Sequence, residues 1–404
     1  MNLIIIDKCS NSCPYCFASH EMDNIATNKM SRESLDVVLR YLKKDKTSQI
    51  INIIGGEPFL YDDLNFLINK LNESQKVKSY TVFTGGVFKP EKLQELKPFH
   101  RKLSLLFNVN EKQDYKSLKQ YELVHQNIVD AIQFGIPTSI GFNIFRKDFN
   151  YEEIVNYCQE YGIATLRLAI AKPTFGIKNS KLLVPDDLGL ISQRMVDFIE
   201  QASKLNVRIE MDCMLPKCFF SNEQLGRVSL LQPSIINYIG KCTLAFDISP
   251  DLSIFRCFAV STENRLKLTD FETLKEAYDY LKLFWDERYL TPNIFGKCMQ
   301  CEFAKNQSCW GDCLSYQSSF PFDNTYDNIV ERIYSSLESD ELDNISDLFN
   351  KLSTQNASYN LLRAYYYLKI GDLDNAKYFA RKTINSTANK TLSKSACKVL
   401  ENIR

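Results

Sequence analysis

Leu3-Ile4-Ile5-Ile6-Asp7-Lys8-Cys9-Ser10-Asn11-Ser12-Cys13-Pro14-Tyr15-Cys16 is an apolar run that breaks into a cysteine loop. The first four residues read as a buried first strand over Leu3–Ile6. The loop has the spacing C-x3-C-x2-C, with Tyr15 just before its last cysteine. Three thiolates on so short a loop can hold three irons of a cubic four-iron, four-sulfur cluster. A cluster that only carries electrons is usually ligated by four cysteines. The incomplete set leaves one iron open, which points to chemistry at that iron.

Outward from this loop the chain alternates apolar runs with amphipathic stretches. Strands are expected at Gln49–Ile54, Ser79–Thr84, Leu103–Val109, Thr138–Ile144 and Thr165–Ile170. Helices are expected at Ser31–Lys44, Tyr61–Leu71, Glu91–Leu96, Leu118–Phe134, Tyr151–Tyr161 and about 186–204. Six β-then-α units imply a parallel sheet with right-handed crossovers. Periodicity leaves open a partly closed barrel or an open doubly wound sheet. Both bind ligands at the carboxyl ends of their strands. The cysteine loop follows the first strand and Gly55-Gly56-Glu57-Pro58 follows the second, so both belong to that face. Paired glycines admit close approach of a ligand to the backbone.

Bulk composition removes several function classes. The 404 residues carry 49 Lys plus Arg against 49 Asp plus Glu, which gives no basic pull toward nucleic acid. No apolar run has the length of a membrane span, and the first residues lack a signal peptide's basic and cleavage regions. A cytoplasmic enzyme is expected. Thirteen cysteines at such spacings favour metal or cluster ligation over disulfides in a reducing compartment.

From about Glu210 to Ser319 regular periodicity fades and Cys213, Cys218, Cys242, Cys257, Cys298, Cys301, Cys309 and Cys313 appear. Loop-rich segments with small cores are often pinned by metal. From about Asp323 a polar helical tail follows. In it Glu341-Leu342-Asp343-Asn344-Ile345 recurs as Asp372-Leu373-Asp374-Asn375-Ala376, a spacing near that of helical-hairpin repeats. The tail reads as a helical cap or as a TPR-like groove for a peptide. The expected domains are 1–205, 206–322 and 323–404.

Together, C-x3-C-x-aromatic-C and Gly-Gly-Glu-Pro about forty residues later resemble the radical S-adenosylmethionine (SAM) superfamily over residues 1–205. The resemblance implies an α/β fold, a partial (β/α)6 TIM-like barrel. It implies that Cys9, Cys13 and Cys16 hold a 4Fe-4S cluster whose open iron chelates SAM. Reductive cleavage of SAM would yield a 5′-deoxyadenosyl radical that abstracts hydrogen from a substrate. Gly55, Gly56, Glu57 and Pro58 would line the SAM amino group. Thr84, in Thr84-Gly85-Gly86, stands where the family often has Thr-Asn-Gly, so a backbone role is expected there. Ser104, Asn108 and Asn143 could reach ribose or carboxylate, or be ordinary strand-end polar residues.

The later cysteines resemble the SPASM family of auxiliary cluster domains. The pattern is Cys242, Pro250-Asp251-Leu252, Cys257, then Cys298-x2-Cys301-x7-Cys309-x3-Cys313. The family usually has glycine at Leu252, five residues rather than seven before the second-last cysteine, and a further cysteine downstream. The resemblance implies one or two auxiliary 4Fe-4S clusters. Cys242, Cys257 and Cys313 would share the nearer one with Cys213 or Cys218, and Cys298, Cys301 and Cys309 would hold the farther one. Structural zinc is the alternative for Cys298–Cys313. Cys158 and Cys397 lie in helical patterns as apolar residues. The histidines share no metal-like spacing. Asp212 and Asp247 are candidate bases only by their nearness to these cysteines.

The function expected is hydrogen abstraction from a peptide or protein side chain, with flavodoxin or ferredoxin as reductant. Rival readings are a small-molecule or cofactor precursor as substrate, formylglycine formation as in sulfatase maturation, and a non-catalytic Fe-S or zinc scaffold.

Overall fold

The computed structural model describes residues 1–11, 13–22, 28–175, 183, 187–289, 298, 301–316, 326–339, 342–343, 345–350, 357–386 and 390–403. It divides into two compact units, Met1–Ala277 and Tyr278–Arg404.

The first unit is built on one sheet. Its strands are β1 (Asn2–Ile4), β2 (Gln49–Ile54), β3 (Val77–Thr84), β4 (Leu103–Val109), β5 (Thr138–Ile144), β6 (Thr165–Ile170), β7 (Arg208–Met211), β8 (Asp247–Ile248), β9 (Ser253–Phe255) and β10 (Leu266–Lys267). Strands β1 to β7 lie in chain order and are all parallel. The first six strands are those expected from sequence, and the α/β fold with a partial TIM-like parallel sheet is observed. The helices fall between them, at Arg32–Lys44, Leu64–Glu73, Glu91–Leu96, Leu118–Gln133, Tyr151–Tyr161 and Ser192–Lys204. Ser31 caps the first of these by accepting from the Ser34 amide at 3.0 Å.

The period-two alternation of each strand sorts its side chains by face. Ile51, Ile53, Tyr80, Val82, Leu105, Phe107, Ile140, Phe142, Leu166 and Leu168 are buried, as a helix-covered face requires. The opposite face carries Asn2, Asn52, Thr81, Ser104, Asn108, Ser139, Asn143, Thr165 and Arg167. These polar residues bond across strands: Asn52 to Asn2 at 2.8 Å, Asn2 to Asp247 at 2.6 Å, and Thr81 with Ser104 at 2.8 Å. A polar inner face is what a chamber for a polar ligand needs.

The sheet runs past the boundary expected at residue 205. β7 extends it beyond β6, and β8 pairs parallel with the free edge of β1. β9 and β10 continue antiparallel from β8. Backbone hydrogen bonding therefore makes residues up to the 270s part of the first compact unit. The buried Asp247, before which Phe246 holds φ 59°, senses the charge of Asp212 at the end of β7. The two outermost parallel strands thus approach each other, as in a sheet curled toward closure.

The second unit is helical. Ile329, Ile333, Leu337, Ile345, Leu348 and Phe349 form one core with Tyr359 and Leu362. Helices Ala357–Lys369 and Leu373–Ser386 form a hairpin across Gly371, whose φ of +78° suits glycine. Asp372 caps the second helix, accepting from the Asn375 amide at 3.1 Å. Of the expected repeat, Glu341 and Asn344 lie outside the described residues, as does the boundary at 322–323. No described helix is long and apolar enough to cross a membrane.

Candidate cluster and cofactor site

The cysteine loop leaves β1 at the carboxyl end of the sheet. Its base is held by the Gly-Gly turn that follows β2. The Gly56 amide donates to the Ile6 carbonyl and the Glu57 amide to the Lys8 carbonyl, both at 2.8 Å. A Cβ on Gly55 would stand 2.3 Å from the Ile6 oxygen, and one on Gly56 2.1 Å from the Lys8 oxygen. Only glycine fits this backbone-to-backbone approach. Beside the turn lies a cavity of about 140 Å³ lined by Ile6, Gly55, Gly56, Ser249, Asp251 and Arg265.

Glu57 is fully buried. Its carboxylate accepts from the Thr84 hydroxyl at 2.8 and 2.9 Å, from the Gly85 amide at 2.9 Å and from the Phe59 amide at 3.2 Å. Burial pushes its pKa up to about 7, against the pull of these donors. The carboxylate therefore braces the turn from within. Thr84 has the same bracing role, since its hydroxyl also accepts from the Gly86 amide at 2.9 Å. Pro58 opens the short 3-10 turn Pro58–Leu60.

The rest of the loop is tied to neighbouring strand ends. Ser10 donates to the Val87 carbonyl at 3.1 Å, and Asn11 accepts from Gln120 at 2.7 Å. Tyr15 is buried and packs against Phe145 with centroids 5.0 Å apart and the rings tilted by 32°, in a cluster that includes Ala171 and Cys13. Cys16 and Phe17 pack with Ile4, Ile54, Phe255 and Phe258. The segment beginning at Cys257 thus covers one flank of the loop. His20 meets Ser261 there at 3.3 Å.

Cys9, Cys13 and Cys16 are part-exposed thiols outside any disulfide. Burial pushes Cys9 and Cys13 up to about 11. They stay protonated near neutrality, so a bound metal group must supply the positive charge that turns them into ligands. Among the described residues no three Cys, His, Asp or Glu side chains form a preformed metal cage. The donor set itself, three thiols on one anchored loop with no competing carboxylate ligand, fits an iron–sulfur group.

Asn108 and Asn143 lie on the inner face near the strand ends. The Asn108 Oδ1 is buried without a partner and sits over Gly141, where a Cβ would come within 2.5 Å of it. Ser104 stands elsewhere. It pairs with Thr81 near the start of β4, six residues before Asn110, roughly 20 Å at strand rise. It lines a separate cavity of about 510 Å³ with Arg167, Asp212 and Tyr238. Ser104 thus stands near the start of β4, away from the carboxyl end at which its contact with ribose or carboxylate is expected. In the same cavity Asp212 is ion-paired to Arg167, and Asp247 bonds Asn2, so neither stands free as a base.

Cys213, Cys218, Cys242 and Cys257 belong to the first unit, whereas Cys298, Cys301, Cys309 and Cys313 belong to the second. The Cys213 thiol contacts Asp212 Oδ2 at 3.7 Å, and Arg256 donates to the Cys242 carbonyl at 3.3 Å. In the second unit Cys298, Cys309 and Cys313 are buried. The Cys301 amide donates to the Cys298 carbonyl at 3.1 Å, and Ser315 donates to the Cys313 sulfur at 3.0 Å.

Sequence reasoning missed Asn110, which accepts from the Tyr15 hydroxyl at 2.6 Å. It also missed Arg146, which clamps Glu111 and Asp114 (2.7 Å) from the loop after β5. Their one sequence signal is a polar residue just past a strand's carboxyl end.

A parallel curled sheet with a three-thiol loop after its first strand defines a radical SAM domain. Residues 3–160 match the Radical SAM superfamily, and the chain is an enzyme of that kind. The family implies a 4Fe-4S cluster and SAM. The chain is 23% identical over 316 residues to GTP 3',8-cyclase of Staphylococcus aureus (strain Mu3 / ATCC 700698), spanning 72% of this chain and 88% of that one. Streptococcus suis SuiB bound to precursor peptide SuiA shares its fold with TM-score 0.57 at 18% identity, over 79% of this chain and 72% of that one. SuiB bound to S-adenosylmethionine gives TM-score 0.56 at 17% identity, over 79% and 74% of the two chains.

Proposed function

We propose that this enzyme abstracts a hydrogen atom from a peptide or protein side chain. The observation that carries the radical chemistry is the Cys9–Cys16 loop seated on the Gly55-Gly56 turn at the carboxyl end of the sheet. The peptide substrate is supported by the fold shared with SuiB, a protein seen with a precursor peptide, and by the SPASM-like cysteines after residue 210.

When bound, the cluster and SAM supply a 5′-deoxyadenosyl radical. The chain's own residues do the rest. Cys9, Cys13 and Cys16 hold the cluster. Gly55 and Gly56 offer their carbonyls to the SAM ammonium while Glu57 and Thr84 keep the turn rigid. Asn108 and Asn143 present amides to the chamber, and Phe17 with Phe258 excludes water from its flank. The later cysteines would hold one or two auxiliary clusters, with flavodoxin or ferredoxin as the electron source.

A second reading makes the substrate small, and its support is the similarity to GTP 3',8-cyclase. Anaerobic reconstitution with dithionite and SAM separates the readings. Release of 5′-deoxyadenosine that rises with short peptides encoded beside the gene supports the first. Stimulation by a nucleotide and indifference to every peptide supports the second. A protein that holds only zinc and releases nothing overturns both, and Cys13→Ala should abolish release while leaving the fold intact.

A further inference from the structure

A series of tyrosines leads away from the cluster loop. Tyr15 sits in that loop, in one packed cluster with Cys13. Its hydroxyl donates to the Asn110 side-chain oxygen at 2.6 Å, and the Asn110 amide donates to the Tyr115 hydroxyl at 3.1 Å. From there aromatic rings adjoin one another. Centroids are 5.5 Å apart for Tyr115 and Tyr121, 4.1 Å for Tyr121 and His125, 4.6 Å for His125 and Tyr157, and 6.4 Å for Tyr157 and Tyr161. Tyr121 and His125 share the helix Leu118–Gln133, and Tyr157 and Tyr161 the helix Tyr151–Tyr161. Each pair has i, i+4 spacing, which sets both rings on one helix face. The series ends at Tyr161, which is half-buried.

Packing alone does not ask for this composition. Phenylalanine or leucine would fill the same space without burying polar atoms. His125 is buried and its Nε2 has no partner, a cost that an apolar residue avoids. Its Nδ1 lies 2.6 Å from the Tyr161 hydroxyl. Burial lowers the His125 pKa to about 4, so the ring is neutral near neutrality and open to a proton. A phenol that has lost an electron is a far stronger acid than an imidazolium. Its proton therefore crosses that hydrogen bond as the electron leaves.

We propose that these residues form a relay that draws oxidising equivalents away from the cluster loop, with the Tyr161–His125 pair as its exit. The inference rests on the radical chemistry proposed above. When no substrate is present, the Tyr15 hydroxyl gives its hydrogen atom to the 5′-deoxyadenosyl radical. The O–H bond breaks, a C–H bond forms, and 5′-deoxyadenosine leaves. An electron passing inward along the rings, with a proton from water, restores the Tyr15 hydroxyl. Tyr161 supplies that electron and passes its proton to His125 Nδ1. A soluble one-electron reductant such as dithionite then reduces Tyr161 from outside, and the proton returns from His125. The net change is one radical, one external electron and one proton converted to 5′-deoxyadenosine, with the cluster ligands left intact.

The test is reaction of the reconstituted holoenzyme with SAM and limiting dithionite, with and without peptide, followed by electron paramagnetic resonance of frozen samples. Wild type should show a tyrosyl signal without peptide, one that narrows in protein made with ring-deuterated tyrosine. Tyr121→Phe interrupts the series and Tyr161→Phe removes its exit, and both keep a ring in place. Each should change that signal. Each should also lose activity severalfold faster per 5′-deoxyadenosine released, with oxidation concentrated on the peptide fragment that contains Tyr15 in mass spectrometry. Should one variant fail to fold, the other carries the measurement. A role in packing alone would lower the melting temperature and leave the loss per 5′-deoxyadenosine unchanged, which overturns the proposal. Release of 5′-deoxyadenosine only when peptide is present leaves no stray radical to remove and overturns it too. A wild-type protein that releases none under either condition overturns the radical reading beneath it, a separate outcome.

Discussion

The Thr84 hydroxyl donates to the Glu57 carboxylate at 2.8 Å, joining the turn after β2 to the end of β3. Because Glu57 is buried, its pKa rises to about 7 in the folded protein, against roughly 4.3 in an unfolded chain. The folded state thus binds the proton more tightly. The stabilisation by the protonated form is full below the unfolded value and is lost as pH rises through about 7. Asp247, also raised to about 7 by burial, acts in the same sense. Calorimetry should show the melting temperature falling between about pH 5 and pH 7.5. Glu57→Gln should flatten that slope, and Asp247→Asn should remove most of the remainder.

Gly56→Ala tests the contact between turn and loop. Its Cβ would meet the Lys8 carbonyl at 2.1 Å, and the obstacle is backbone. The loop must shift, at a cost of about 1–3 kcal/mol. Denaturant melts should show that loss, and iron bound per chain after reconstitution should drop with it.

Leu252 holds φ 62° in the turn between β8 and β9. A side chain there costs about 1–2 kcal/mol. Leu252→Gly relieves it at the expense of a floppier unfolded chain, about 0.5–1 kcal/mol. The net expectation is a rise of about 0.5 kcal/mol in unfolding free energy, read as a higher denaturation midpoint at unchanged slope.

Arg167 reaches across to Asp212 and lies over the Phe83 ring at 5.4 Å. Asp212 is about one-third exposed, so water screens the pair. A double-mutant cycle with Arg167→Met and Asp212→Asn should return a coupling of about 1 kcal/mol. Either single change should cost more than the double change implies.

The first six strands were legible because each is an apolar run of β-branched and large residues bounded by turn residues. The cluster loop and the Gly-Gly turn were legible because their spacing admits little else. β7 was not, since Arg208 and Glu210 give it the look of a loop. Their charged side chains are largely exposed, and only Ile209 and Met211 of the strand are buried. β8 has two residues, too few for any pattern, and its pairing partner Asn2 is 245 positions away. Asn110 escaped because a lone strand-end asparagine is common, and only the folded chain shows Tyr15 reaching it. For Ser104, residue type reports a face of the strand and says nothing of height along it.

The pairing of β1 with β8 also has a temporal side. A nascent chain leaves the ribosome from its N-terminus, so β1 appears first and its second neighbour arrives 245 residues later. At about 5–20 residues per second that is a wait of roughly ten to fifty seconds. Throughout it, one margin of an apolar strand offers unpaired amides and carbonyls to whatever strand is near. Chaperone dependence during synthesis, and aggregation of fragments that stop before residue 247, follow from where that one strand finds its neighbour.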